Sequence, residues 1–86
     1  MNITFERGAF DDFTAWAGRD RQVYRRIISL IVDITRNPLG GGIGKPEPLR
    51  HELQGYWSRR ITEEHRLVYK IEGDSVVIVS CKYHYL

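Results

Sequence analysis

The chain has 86 residues, which leaves room for a single domain, 1–86, built round one modest core. A 42% hydrophobic and 28% charged composition excludes a disordered chain, and no apolar run is long enough to span a membrane, the longest being Val76–Val79. Thirteen basic against eleven acidic residues leave a net charge of +2, too little to identify a polyanionic partner on its own. The lone Cys81 has no partner for an internal disulfide, and the N-terminus is unlike a signal peptide, so a cytoplasmic setting is expected.

Ile3 and Phe5 alternate with polar neighbours and predict a short first strand. From Ala9 to Ala17 the spacing of Phe10, Phe13, Trp16 and Ala17 predicts a helix, with Gly18 as its stop. Asp20 is placed to cap a second helix, along which Val23, Ile27, Leu30, Ile31 and Ile34 form one apolar stripe. Asn37-Pro38 ends it, because a proline disfavours helical backbone in the residue before it. The stretch Gly40-Gly41-Gly42-Ile43-Gly44 reads as a flexible connector; it lacks the lysine–hydroxyl ending of a phosphate-binding loop. In Lys45-Pro46-Glu47-Pro48 two prolines stiffen the backbone on either side of a carboxylate.

The remainder reads as a β meander: Tyr56–Thr62, a turn at 62–65, Arg66–Ile71, a turn at Gly73-Asp74, and Ser75 to about Tyr85. Two N-terminal helices packed on one face of a small antiparallel sheet make an α+β fold. Period-two alternation puts Leu67, Tyr69 and Ile71 on one face of their strand and Arg66, Val68 and Lys70 on the other. On the last strand it groups Val77, Val79, Cys81 and Tyr83 against Val76, Ile78, Ser80, Lys82 and His84. Arg66, Lys70, Lys82 and His84 are therefore expected on the face away from the helices, with Arg66 and His84 near one sheet edge.

That grouping suits RNA cleavage, which needs a base for the 2′-hydroxyl, an acid for the departing 5′-oxygen, and a cation for charge growing on the phosphate. Glu47, His84 and Arg66 have the matching chemistry without a metal. Each also has a plain structural reading: a solvated carboxylate, a chain-end histidine, and an arginine paired with Glu63 or Glu64. His51 and His65 read as surface histidines. No Cys/His/Asp cluster has metal-ligand spacing, and no serine sits in a nucleophile-elbow motif. From the residues alone, the chain is a small α+β domain with a phosphate-binding face as one option.

Four blocks go further. Gly44-Lys45-Pro46-Glu47-Pro48-Leu49, the run from Leu53 through Gly55-Tyr56-Trp57-Ser58-Arg59-Arg60-Ile61, Glu64-His65-Arg66-Leu67-Val68-Tyr69, and Cys81-Lys82-Tyr83-His84-Tyr85 together resemble the YoeB/Txe toxins of the RelE-like superfamily. The resemblance extends over almost the whole chain, including Asp11-Asp12. It implies a ribosome-dependent messenger endoribonuclease of a type II toxin–antitoxin system, with Glu47 as general base, Arg66 as transition-state stabiliser, His84 as general acid and Tyr85 shaping the site. Lys45, Arg59 and Arg60 fall on basic positions implied to contact RNA. The implied partners are the 70S ribosome with its messenger and a YefM-like antitoxin. Operator DNA is met only through the antitoxin, and a homodimer is possible. No cofactor and no membrane are implied. The Gly-rich loop lacks a lysine common there, and Leu86 extends past the usual terminal tyrosine. Rival readings are a gyrase-poisoning toxin of the ParE group, disfavoured by the Glu47–Arg66–His84 set, a free ribonuclease, and an inactive antitoxin-binding corepressor.

Overall fold

The second helix organises the molecule. In the computed structural model, which describes residues 1–83, it spans Arg21–Arg36 (α2), and Val23, Ile27, Leu30, Ile31 and Ile34 are all buried. Fully burying such a side chain contributes about 1.5–3 kcal/mol. Asp20 starts the helix as expected: its carboxylate accepts from the N–H groups of Gln22 (3.1 Å) and Val23 (3.2 Å). The first helix, α1 (Arg7–Arg19), runs through Gly18. The stop is Asp20 itself, whose extended backbone (φ −154°) breaks the helix while its N–H donates to the Trp16 carbonyl. Ala9 and Trp16 are buried and Phe13 half-buried on α1, whereas Phe10 stays exposed. Phe5, Phe13 and Tyr24 stack in series at 5.1 and 4.9 Å between ring centroids.

Five strands form one sheet: β1 (Asn2–Phe5), β2 (Glu47–Pro48), β3 (Tyr56–Arg60), β4 (Arg66–Glu72) and β5 (Ser75–Ser80), in the order β1-β5-β4-β3-β2. The sheet is mixed, not purely antiparallel, because β1 pairs in parallel with β5, Asn2 opposite Ser75 and Phe5 opposite Ile78. Alternation revealed that β1 is a strand, but alternation carries no information on its neighbour. β3, β4 and β5 pair antiparallel, as the meander predicts, and β2, not expected as a strand, adds antiparallel to β3.

The expected faces of β5 need correction. Val76 and Ile78 lie opposite Ile71 and Tyr69 and are buried in the core, so they face the helices. A register irregularity between Val68 and Tyr69 then pairs Val68 with Ser80. That extra residue, Val79, reverses the parity of everything after it. Cys81 thereby joins Val76 and Ile78 in the core although it sits at an odd position. The strand also stops at Ser80, short of the expected Tyr85.

Candidate functional site

Glu47 opens β2 on an edge of the sheet, opposite Ser58 of β3, and is exposed. Two neighbours fasten this edge. The Leu49 N–H donates to the Tyr56 carbonyl (2.9 Å) with the Leu49 side chain buried, and the Arg60 N–H donates to the Gly44 carbonyl (2.7 Å). Glu47, Pro48, Leu49, Arg50 and His51 line a shallow open cleft there.

The glycine-rich stretch before Glu47 is packed, not loose. The Asp33 carboxylate accepts from the Ile43 N–H (3.0 Å) and pairs with the Arg59 guanidinium. Arg59 also donates to the carbonyls of Ile43 (3.0 Å) and Asn37 (2.6 Å) and sits beside the Tyr69 hydroxyl (3.4 Å). A β-carbon on Gly42 (φ +83°) would fall 1.9 Å from Asp33 Oδ2, and one on Gly44 would fall 2.6 Å from Leu30 Cδ2. Only glycine allows the loop to close this tightly over the ion pair. The Arg59 guanidinium holds the Asp33 carboxyl below its ordinary range, mainly through their hydrogen bond and against the opposing effect of burial.

Arg59 therefore leaves the set expected to contact RNA, because it is fully buried with its fork turned onto Asp33 and two carbonyls. The signal was present: Arg59 alternates with Trp57 and Ile61, and Ile61 belongs to the core with Trp57 packed against it. Lys45 and Arg60 are exposed.

On the opposite sheet face the register lines up Glu47, Ser58, Val68 and Ser80 in one cross-strand row. Arg66, paired with Arg60, stands one two-residue step further along the same face. Two strand spacings and one such step separate Glu47 from Arg66 by on the order of 12 Å between α-carbons, a scale on which two long side chains can flank one nucleotide. Arg66 is half-buried, and its guanidinium donates to the carbonyls of Thr62 (2.7 Å) and Glu63 (3.1 Å). Those are main-chain oxygens, and among the described residues no carboxylate pairs with Arg66.

The Arg66 N–H donates to the Tyr83 carbonyl (2.9 Å), which brings the chain immediately before His84 against the start of β4. His84, Tyr85 and Leu86 lie outside the described residues. His65 is not the surface residue expected. It is 9% exposed, its ring lies 4.9 Å from Trp16 in a T-shaped contact, and its Nδ1 accepts from the Tyr83 N–H at 2.7 Å. Nothing in the local pattern distinguishes it from the exposed His51. Among the described residues no group of three His, Cys, Asp or Glu side chains can hold a metal, and no helix is long and apolar enough to cross a membrane.

Residues 5–85 match the family described as YoeB-like toxin of bacterial type II toxin-antitoxin system. The chain belongs to this family. The YoeB-like toxins it resembles include toxin YoeB of Streptomyces coelicolor, 54% identical with 99% of this chain and all of that protein covered. The heterotetrameric YoeB–YefM toxin–antitoxin complex of Staphylococcus aureus has a chain 47% identical, with 99% and 98% coverage and a TM-score of 0.91. The YoeB dimer from the same organism gives the same identity and coverage with a TM-score of 0.92. The YoeB-like fold is thus the one seen here: two helices on one face of a five-stranded mixed sheet.

Proposed function

We propose that this toxin is a ribosome-dependent endoribonuclease that cuts messenger RNA in the ribosomal A site. The observation that carries the reading is the shared face of Glu47 and Arg66, with the segment leading to His84 tied to Arg66 through the Tyr83 carbonyl. Glu47 takes the proton from the 2′-hydroxyl, whose oxygen attacks the adjacent phosphorus. The bond from phosphorus to the 5′-oxygen breaks, and His84 protonates that oxygen as it leaves. Arg66, with no carboxylate of its own among the described residues, stabilises the negative charge that accumulates on the phosphate between these events. The products are a 2′,3′-cyclic phosphate, which can open to a 3′-phosphate, and a 5′-hydroxyl. Tyr85 helps shape the site, and the exposed Lys45 and Arg60 contact RNA phosphates.

The YoeB–YefM complex and the YoeB dimer support a YefM-like antitoxin and a second copy of the chain as partners, and the nuclease reading itself calls for the 70S ribosome with its messenger. DNA is met only through the antitoxin, and the toxin acts in the cytoplasm. Primer extension on a defined messenger in purified translation tests the reading. A-site cuts by the parent protein, reduced by about 10²–10⁴-fold in Glu47→Ala or His84→Ala, support it. Equal cutting of naked RNA removes the ribosome from the mechanism. No cutting by a protein that still binds ribosomes or antitoxin replaces the enzyme by an antitoxin-binding corepressor.

A further inference from the structure

β5 ends at Ser80, so the chain from Cys81 to Tyr83 continues outside the strand. Its main-chain groups are met one at a time. Trp16 Nε1 donates to the Cys81 carbonyl (3.0 Å), the Ser80 hydroxyl to the Lys82 carbonyl (3.3 Å), and the Arg66 N–H to the Tyr83 carbonyl (2.9 Å). The fourth contact runs the other way, with the Tyr83 N–H donating to His65 Nδ1 at 2.7 Å. An imidazole nitrogen accepts only through its lone pair, and in the imidazolium both nitrogens are donors. This bond therefore exists only for a neutral His65 with its proton on Nε2.

Two aromatic rings flank the imidazole. It is packed edge-on against Trp16 and 5.4 Å from the Tyr83 ring. Its backbone is fixed as well, since the His65 N–H donates to the Thr62 hydroxyl (3.0 Å) and its carbonyl accepts from the Ile61 N–H (3.0 Å). The charged groups facing it are the Glu64 carboxylate, 3.6 Å from Nε2, and Arg19 and Asp20 across the cleft they share. The residue after Tyr83 in the sequence is His84. Tyr83, the residue before His84, is thus held at both its N–H and its carbonyl.

We propose that His65, neutral and protonated on Nε2, is the positioning residue for the segment that delivers His84 to the phosphate opposite Arg66. The proposal rests on the nuclease reading above and adds a residue that touches neither substrate nor reacting atoms. A near-attack geometry lost by an ångström is enough to slow chemistry strongly while binding survives.

The test combines ¹⁵N NMR of the imidazoles, hydrogen exchange at the Tyr83 amide, and single-turnover cleavage on programmed ribosomes. The parent protein is expected to show an unprotonated Nδ1 on His65 at neutral pH and a protected Tyr83 amide. His65→Asn, whose side-chain oxygen can take the place of Nδ1, retains that protection and most of the cleavage rate. His65→Phe retains the ring packing but has no acceptor; it is expected to bind the A site normally, lose Tyr83 protection, and cleave about 10²-fold more slowly. A protonated Nδ1, or a His65→Phe protein that protects Tyr83 and cuts like the parent, overturns the proposal. The NMR and exchange readouts need no ribosome, so they judge the role of His65 at Tyr83 separately from the nuclease. A His84→Ala protein as fast as the parent overturns the acid assignment itself.

Discussion

Glu47 arrives at the sheet through a loop clamped on a buried ion pair, whereas the chain leading to His84 is held by a single neutral imidazole and three hydrogen bonds. In the first region, Arg59 gathers Asp33, the Ile43 carbonyl and the Asn37 carbonyl about one guanidinium. Arginine does not lose its proton in any ordinary buffer, and Asp33 is held in its charged form by the same contact. In the second region, the Tyr83 N–H depends on a lone pair that a proton can occupy. The contrast teaches that the two ends of one proposed site differ in what can disturb them. The Glu47 side rests on two opposite charges held by their pairing, the His84 side on one lone pair.

The sharpest way to break the comparison is to remove the buried charge. Arg59→Leu leaves Asp33 without its counter-ion and two carbonyls without donors, and is expected to cost about 3–5 kcal/mol, read from the urea midpoint. A loss below about 1 kcal/mol would place the pair outside the fold's main supports. Gly42→Ala comes next. Its β-carbon would intrude on Asp33 Oδ2 in a left-handed backbone, and a loss of about 1–3 kcal/mol is expected. An unchanged midpoint would mean that the loop can lift from the pair at no cost.

These anchors were only partly legible in the sequence, for a physical reason. Local periodicity was enough for α2, its stripe and the Asp20 cap, and for the meander after Tyr56, because each is set by residues a few positions apart. The parallel pairing of β1 with β5 and the parity reversal at Val79 depend on partners distant in the chain. Arg59 was expected to contact RNA because it falls on a basic position of the family resemblance, although its alternation with Trp57 and Ile61 places it on the inner face. The row from Glu47 to Arg66 needed a register that alternation does not supply. His84 came from alternation and chemistry and Tyr85 from family resemblance, and both fall outside the described residues.

Titration sharpens the contrast with a smaller effect. The folded pKa of Asp33 lies below the ordinary value of 3.8. Its contribution to stability is therefore complete above that value and is lost as pH falls through the folded pKa. Urea midpoints measured from pH 5 downward should decline more steeply in the parent protein than in Asp33→Asn. Parallel curves would show that Asp33 has the same proton affinity folded and unfolded. The smallest expected effect concerns Cys81, whose thiol is buried and pushed up to about 12, chiefly by desolvation. Its contribution to stability is present below the ordinary 9.0 and fades as pH rises beyond it. At pH 8 the native thiol should resist a soluble thiol reagent and react once urea unfolds the chain. Rapid native reaction would show that the stretch after β5 opens readily.

The parallel pairing of β1 with β5 also governs when the protein can come into being. The first strand to leave the ribosome, Asn2–Phe5, has as its sheet partner the last strand to be made, Ser75–Ser80. Contacts between such distant parts of a chain form late and slowly. A nascent chain that still lacks Ser75–Ser80 therefore leaves Asn2–Phe5 without its sheet partner. The five-stranded sheet can close only once the last strand is made.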